Sequence, residues 1–188
     1  MDLELLFASV LVCIFGLPHG ALDPILAYRL RVFTTLRGGI TFHIVYLLIC
    51  GLGLRLWFYA PLTSLWVFIG YSALHFGRDW SAIALGGLPY GLLVLGSPML
   101  FHGEEVRGIF EIITFGGDGS SLVTLMSFSP MTMLWVLIKG PMRVSQLWLE
   151  VIGLLVLSYL LNPLTYFLLY FCGLHSPKHL FKEYLALH

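Results

Sequence analysis

The chain has 188 residues, 59% hydrophobic and 11% charged, with Lys plus Arg and Asp plus Glu balanced at 10 each. An ordinary soluble domain carries about 25% charged residues. The balance excludes a disordered chain, which needs low hydrophobicity and high charge, and a nucleic-acid binder that works through a basic field. With a mean hydropathy of +0.91, too few charges remain to cover a soluble surface. The expected class is an all-α polytopic transmembrane helical bundle in the lipid bilayer. At about 20 apolar residues per crossing, the length allows about seven spans, with residues 1–188 as a single transmembrane helical domain. The apolar runs are continuous and do not alternate, which argues against a membrane barrel.

In chain order, span 1 covers about residues 3–25 and is interrupted at Pro18. Its start, Met1-Asp2-Leu3-Glu4, lacks the basic region of a signal peptide, so the run reads as a retained span. Span 2 covers 40–58, span 3 covers 61–76 and span 4 covers 81–100. An amphipathic stretch at 104–115 leads into the turn Gly116-Gly117-Asp118-Gly119. Span 5, 120–138, is kinked or broken near Pro130. Span 6 covers 144–161, Asn162-Pro163 is a turn signal, and span 7 covers 164–180. Cys13, Cys50 and Cys172 all sit in apolar runs and read as small buried hydrophobes rather than a disulfide framework.

Arg29, Arg31, Arg37, Arg78, Lys139, Arg143, Lys178 and Lys182 fall on one side of this scheme, and Arg55 and Arg107 on the other. The positive-inside rule then puts the N-terminus outside and the C-terminus in the cytoplasm of a multi-pass inner-membrane protein. Spans 1, 3 and 7 all run from outside to inside. Four of the seven histidines, His19, His75, His175 and His179, lie near their inner ends. Polar groups at that depth face the bundle interior, and four neutral imidazoles suit Fe, Zn or Cu. Asp23 and Asp79 each follow a histidine by four residues, a spacing that on a helix shares one face. Each carboxylate can take the free ring N–H and fix the tautomer. His175 and His179 share the same spacing, with a kink or restart at Ser176 forced by Pro177. His43 is a candidate fifth member, while His102 reads as a solvated loop residue. Tyr71, Phe76, Tyr166, Tyr170 and Phe171 lie near the histidines and are candidates for an apolar substrate pocket; Trp57, Tyr59, Trp80 and Trp148 read as interface-belt residues.

Three segments resemble the Brp/Blh family, the membrane β-carotene dioxygenases of rhodopsin-bearing bacteria and archaea. They are Gly16-Leu17-Pro18-His19-Gly20-Ala21-Leu22-Asp23, then Leu74-His75-Phe76-Gly77 followed by Asp79, and Tyr170-Phe171-Cys172-Gly173-Leu174-His175-Ser176-Pro177-Lys178-His179. Glu105-Val106 and Ile109-Phe110 match a loop pattern of the family more weakly. The resemblance implies a non-haem Fe(2+) held by His19, His75, His175 and His179. It further implies cleavage of the central double bond of β-carotene with O2 to give two all-trans-retinal, and a functional link to a retinal-binding rhodopsin. The family pattern continues beyond span 7 with further hydrophobic spans, so this chain is expected to lack the family's C-terminal spans. Rival readings are a haem-binding electron carrier with axial histidines, a non-enzymatic retinal- or carotenoid-binding membrane protein, and a di-iron desaturase or hydroxylase suggested by the His175-x-x-x-His179 spacing.

Overall fold

The computed structural model describes residues 27–29, 31–139 and 145–186, with side chains described as far as Phe181. Among the described residues every regular element is helical and none is a strand. The expected first span, together with His19 and Asp23, lies outside the described residues.

The chain divides into two compact units, residues 1–60 with 171–188, and residues 61–170. In the first unit, α1 (Leu36–Tyr59) starts at Thr35, whose side-chain oxygen accepts the Gly38 N–H at 3.2 Å. This satisfies one of the donors a helix leaves orphaned at its N-terminus. The same unit ends in a π-helical turn, Phe171–His175, and α9 (Ser176–Ala186). Pro177 explains the break, because it has no N–H for the carbonyl four residues back but is tolerated in a helix's first turn. The expected restart at Ser176 is found there.

The second unit is built from α2 (Pro61–Gly77), α3 (Leu88–Phe101), α4 (Gly103–Ile113), α5 (Ser120–Ser127), α6 (Pro130–Lys139), α7 (Ser145–Leu160) and α8 (Pro163–Tyr170). Proline opens α2, α6 and α8, and Asn162 Oδ1 caps α8 by accepting the Thr165 N–H at 2.9 Å. Such starts use the fixed proline φ where no N–H is needed. The expected break of span 5 at Pro130 is present. Ser129 spans that break, its hydroxyl lying 2.6 Å from the Met126 carbonyl and 2.9 Å from that of Leu92 on α3.

α3 is the central helix, packed against α2, α5, α6 and α7. Nearly all its positions from Pro89 to Met99 are buried, as expected of a helix that is apolar all round. It starts later than the expected residue 81. The segment before it runs through two 3₁₀ turns, Arg78–Trp80 and Ala84–Gly87, and three successive left-handed residues, Leu85, Gly86 and Gly87. That bend lays Gly87 against Gly77. A Cβ on Gly87 would stand 1.8 Å from the Gly77 carbonyl oxygen, and one on Gly91 would stand 1.8 Å from that of Ala73. α2 and α3 therefore touch backbone to backbone along a seam of small residues, a packing mode that suits helices in lipid.

Among the described residues, three stretches are long and apolar enough to cross a membrane, Leu36–Tyr59, Ala84–Phe101 and Ser120–Lys139. The expected count of about seven is not reached by these; α2, α7 and α8 are apolar but span 17, 16 and 8 residues. At α4, Glu104 and Glu105 occupy the first turn, where carboxylates complement the helix dipole. Beyond it, the Ser120 hydroxyl and then its N–H, which donates to Asp118 at 2.9 Å, hold that exposed carboxyl below the usual carboxylate range.

The seam makes a prediction. Gly91→Ala should destabilise the protein by about 1–3 kcal/mol, since the backbones must part. Gly70→Ala, on the same α2 helix but with nothing within 4 Å of a new Cβ, should be neutral or stabilising by up to about 1 kcal/mol. Thermal unfolding in detergent checks both.

Candidate metal centre

The π-helical turn and the start of α9 place two of the predicted histidines together. The His175 and His179 rings lie 6.2 Å apart between centroids, close enough for one ion to be reached by both. His175 is 1% exposed. Phe171 stacks on His175 at 5.9 Å and 25°, so one of the predicted pocket aromatics flanks this pair directly. π-helical turns of this type often mark functional sites.

His75 lies in the other unit, in the last turn of α2, and is half-buried. Tyr71, one helical turn earlier, stacks on it at 6.5 Å and 17°, while Phe76 meets it edge-on at 5.5 Å. Tyr71 itself is 69% exposed, so its outer face is open to an apolar molecule, whereas Phe76 is buried against Phe167 and Tyr170. The α-helix stops at Gly77, so Asp79 sits in the following 3₁₀ turn rather than on a continuous helical face with His75. Its Oδ2 accepts the Tyr170 hydroxyl at 3.2 Å. Tyr166 is fully buried and serves the core of this unit. Its hydroxyl donates to the Val94 carbonyl at 3.1 Å and lies 3.2 Å from that of Ser97.

His19 and Asp23 lie outside the described residues, and among those described no group of three or more His, Cys, Asp or Glu side chains forms a metal cluster. His43 Nδ1 donates to the Gly39 carbonyl at 2.7 Å, a contact within its own helix. His102 is not the solvated residue expected. Its side chain is 21% exposed, Nδ1 stands 3.5 Å from Glu105, and Nε2 is buried without a hydrogen-bond partner at the α3–α4 junction. Trp80 also departs from its expected interface-belt role, donating its indole N–H to Glu150 at 2.8 Å.

Glu150 is the residue the sequence reading misses. It also accepts the Tyr90 hydroxyl at 3.1 Å, on the same oxygen. The signal was present in the sequence: Glu150 is the one Asp, Glu, Lys or Arg between Arg143 and Lys178, and a lone acid inside an apolar span is a functional candidate by default.

Among the described residues, the fold and these side chains define a helical protein with membrane-length apolar segments and two neighbouring imidazoles, of which His175 is buried. Within that class, the β-carotene 15,15'-dioxygenase family profile matches residues 10–187, and the chain belongs to this family. It is 28% identical to a β-carotene 15,15'-dioxygenase from an uncultured marine bacterium, over 92% of this chain and 66% of that protein. It is also 28% identical to a probable β-carotene 15,15'-dioxygenase, Blh, of Halobacterium salinarum, over 93% of this chain and 59% of that one. The chain thus spans about two thirds or less of the length of these relatives. No solved structure matches it.

Tyr170→Phe tests the Asp79 contact. It keeps the edge-on packing against Phe76 and removes the donor, and should cost about 0.5–1.5 kcal/mol. Thermal unfolding in detergent measures it, and an unchanged midpoint shows that this hydrogen bond contributes nothing.

Proposed function

We propose that the chain is an iron-dependent dioxygenase that cleaves the central double bond of β-carotene with O2 to give two all-trans-retinal. The observation that carries this reading is the family match over residues 10–187, a range that contains His19, His75, His175 and His179. These four would hold Fe(2+). The approach of the His175 and His179 rings and the burial of His175 suit such an ion. Bound iron would supply the activation of O2.

The protein's own residues account for the remaining requirements. The chemistry balances without an external reductant, since one O2 provides the oxygen of each new aldehyde as the carbon–carbon double bond is broken. β-Carotene is a hydrocarbon of the bilayer and needs an apolar lateral approach. Tyr71 offers a flat face stacked on His75, and Phe171 one stacked on His175, each suited to lie against a planar polyene. Burial of His175 keeps water from its ring. Asp79, held by Tyr170, is suited to orient the His75 side of the site. Arginines 29, 31 and 37 with Lys139 and Lys178 support an inner-membrane topology with the N-terminus outside and the C-terminus cytoplasmic. Retinal leaving such a site would serve a retinal-binding rhodopsin.

Expression in a carotenoid-producing host tests this. The account expects loss of orange colour, retinal in the extract and iron in the purified protein. His75→Ala and His175→Ala should each lower retinal yield and iron content by at least about tenfold, the loss that even outer partners of a metal ligand produce. Full iron and full retinal in either variant contradicts the ligand assignment, and a strong Soret band in the wild type favours haem instead.

A further inference from the structure

Glu150 sits in α7 among Leu147, Leu149, Val151 and Ile152. A carboxylate in such surroundings is costly unless its oxygens are hydrogen-bonded. Oε2 accepts two described donors, the Trp80 indole N–H at 2.8 Å and the Tyr90 hydroxyl at 3.1 Å. These donors belong to different segments. Tyr90 is 0% exposed on the central helix α3, and Trp80 closes the Arg78–Trp80 turn that follows the helix of His75. The two rings also meet, tilted, at 6.5 Å.

Asp79, in the same turn, accepts from Tyr170 of α8. The turn is thus gripped from two sides, by α7 and α3 through Glu150 and by α8 through Tyr170. Beneath it the Gly77–Gly87 contact leaves no room for sliding. His75 lies two residues before Gly77, so its backbone is fixed by whatever fixes this turn.

We propose that Glu150 is a positioning residue for the site: by holding Trp80 and Tyr90 on one carboxylate oxygen, it locks the turn that sets Asp79 and His75. The inference rests on the reading of the chain as a retinal-forming dioxygenase. Glu150 acts through these side chains and does not itself touch substrate.

The test compares Glu150→Leu and Glu150→Gln with the wild type in detergent, reading kcat and KM for β-carotene, iron retention against a chelator, and thermal unfolding. Leucine preserves the apolar fit of the site. It should leave KM within threefold while lowering kcat at least tenfold and speeding iron loss at least fivefold. Glutamine, whose amide oxygen can take both donors, should restore kcat to within threefold. Should the leucine variant fail to fold, Trp80→Phe removes one donor alone and should lower kcat at least threefold. Unchanged kcat and iron retention in Glu150→Leu, or in Trp80→Phe where that variant replaces it, overturns the proposal. A raised KM at unchanged kcat also overturns it, since that reports direct substrate contact. A wild-type chain that makes no retinal overturns the underlying reading alone. The clamp is then judged on metal retention: loss in Glu150→Leu but not in Glu150→Gln supports it, and equal retention overturns it.

Discussion

A hydrogen-bonding group set among apolar side chains and lipid has no water to fall back on, so its partner must come from the protein. That constraint organises the second unit. Glu150 is met by Trp80 and Tyr90, Asp79 by Tyr170, and the Tyr166 hydroxyl by the Val94 carbonyl. Each bond joins segments far apart in sequence, so satisfying the polar groups also specifies which helices are neighbours. The aromatic donors suit this role, since tyrosine and tryptophan bring a large apolar body with a single polar tip.

Close packing supplies what hydrogen bonds cannot. Lipid chains are as apolar as leucine, so helix association in a membrane relies on shape. Ala73, Gly77, Gly87 and Gly91 let the backbones of α2 and α3 meet. The left-handed run at Leu85, Gly86 and Gly87 is the bend that makes the contact reachable. α2 ends at Gly77, two residues after His75, so the histidine's position follows from the tightest contact in this unit.

Most helices were legible in the sequence because apolar runs bounded by proline, glycine and asparagine leave few alternatives. Pro61, Pro130 and Pro163 begin helices where they stand, and Pro177 restarts one at Ser176. The start of α3 was misjudged because the apolar content of residues 81–87 hides two 3₁₀ turns. The Asp79 geometry was read from a spacing that assumes an unbroken helix, and the helix stops first. His102 looked solvated because its sequence neighbours are polar, yet its side chain is 21% exposed and its Nε2 buried. Glu150 and Trp80 are 70 positions apart, so no local spacing in the sequence pairs the carboxylate with the indole or marks Trp80 as more than a belt residue.

The proposed centre draws on the buried His175 of the π-helical turn, His179 of α9, His75 at the end of α2 and His19 of the Gly16–Asp23 motif. Family membership and the affinity of imidazole for iron support the proposal of one iron shared by the four. X-ray absorption at the iron edge of the purified, iron-loaded full chain tests this most directly. The account predicts about one iron per chain with first-shell nitrogen and the outer-shell scattering of several imidazole rings. Iron bound mainly by sulfur or carboxylate oxygen, or a chain that retains no iron, contradicts it.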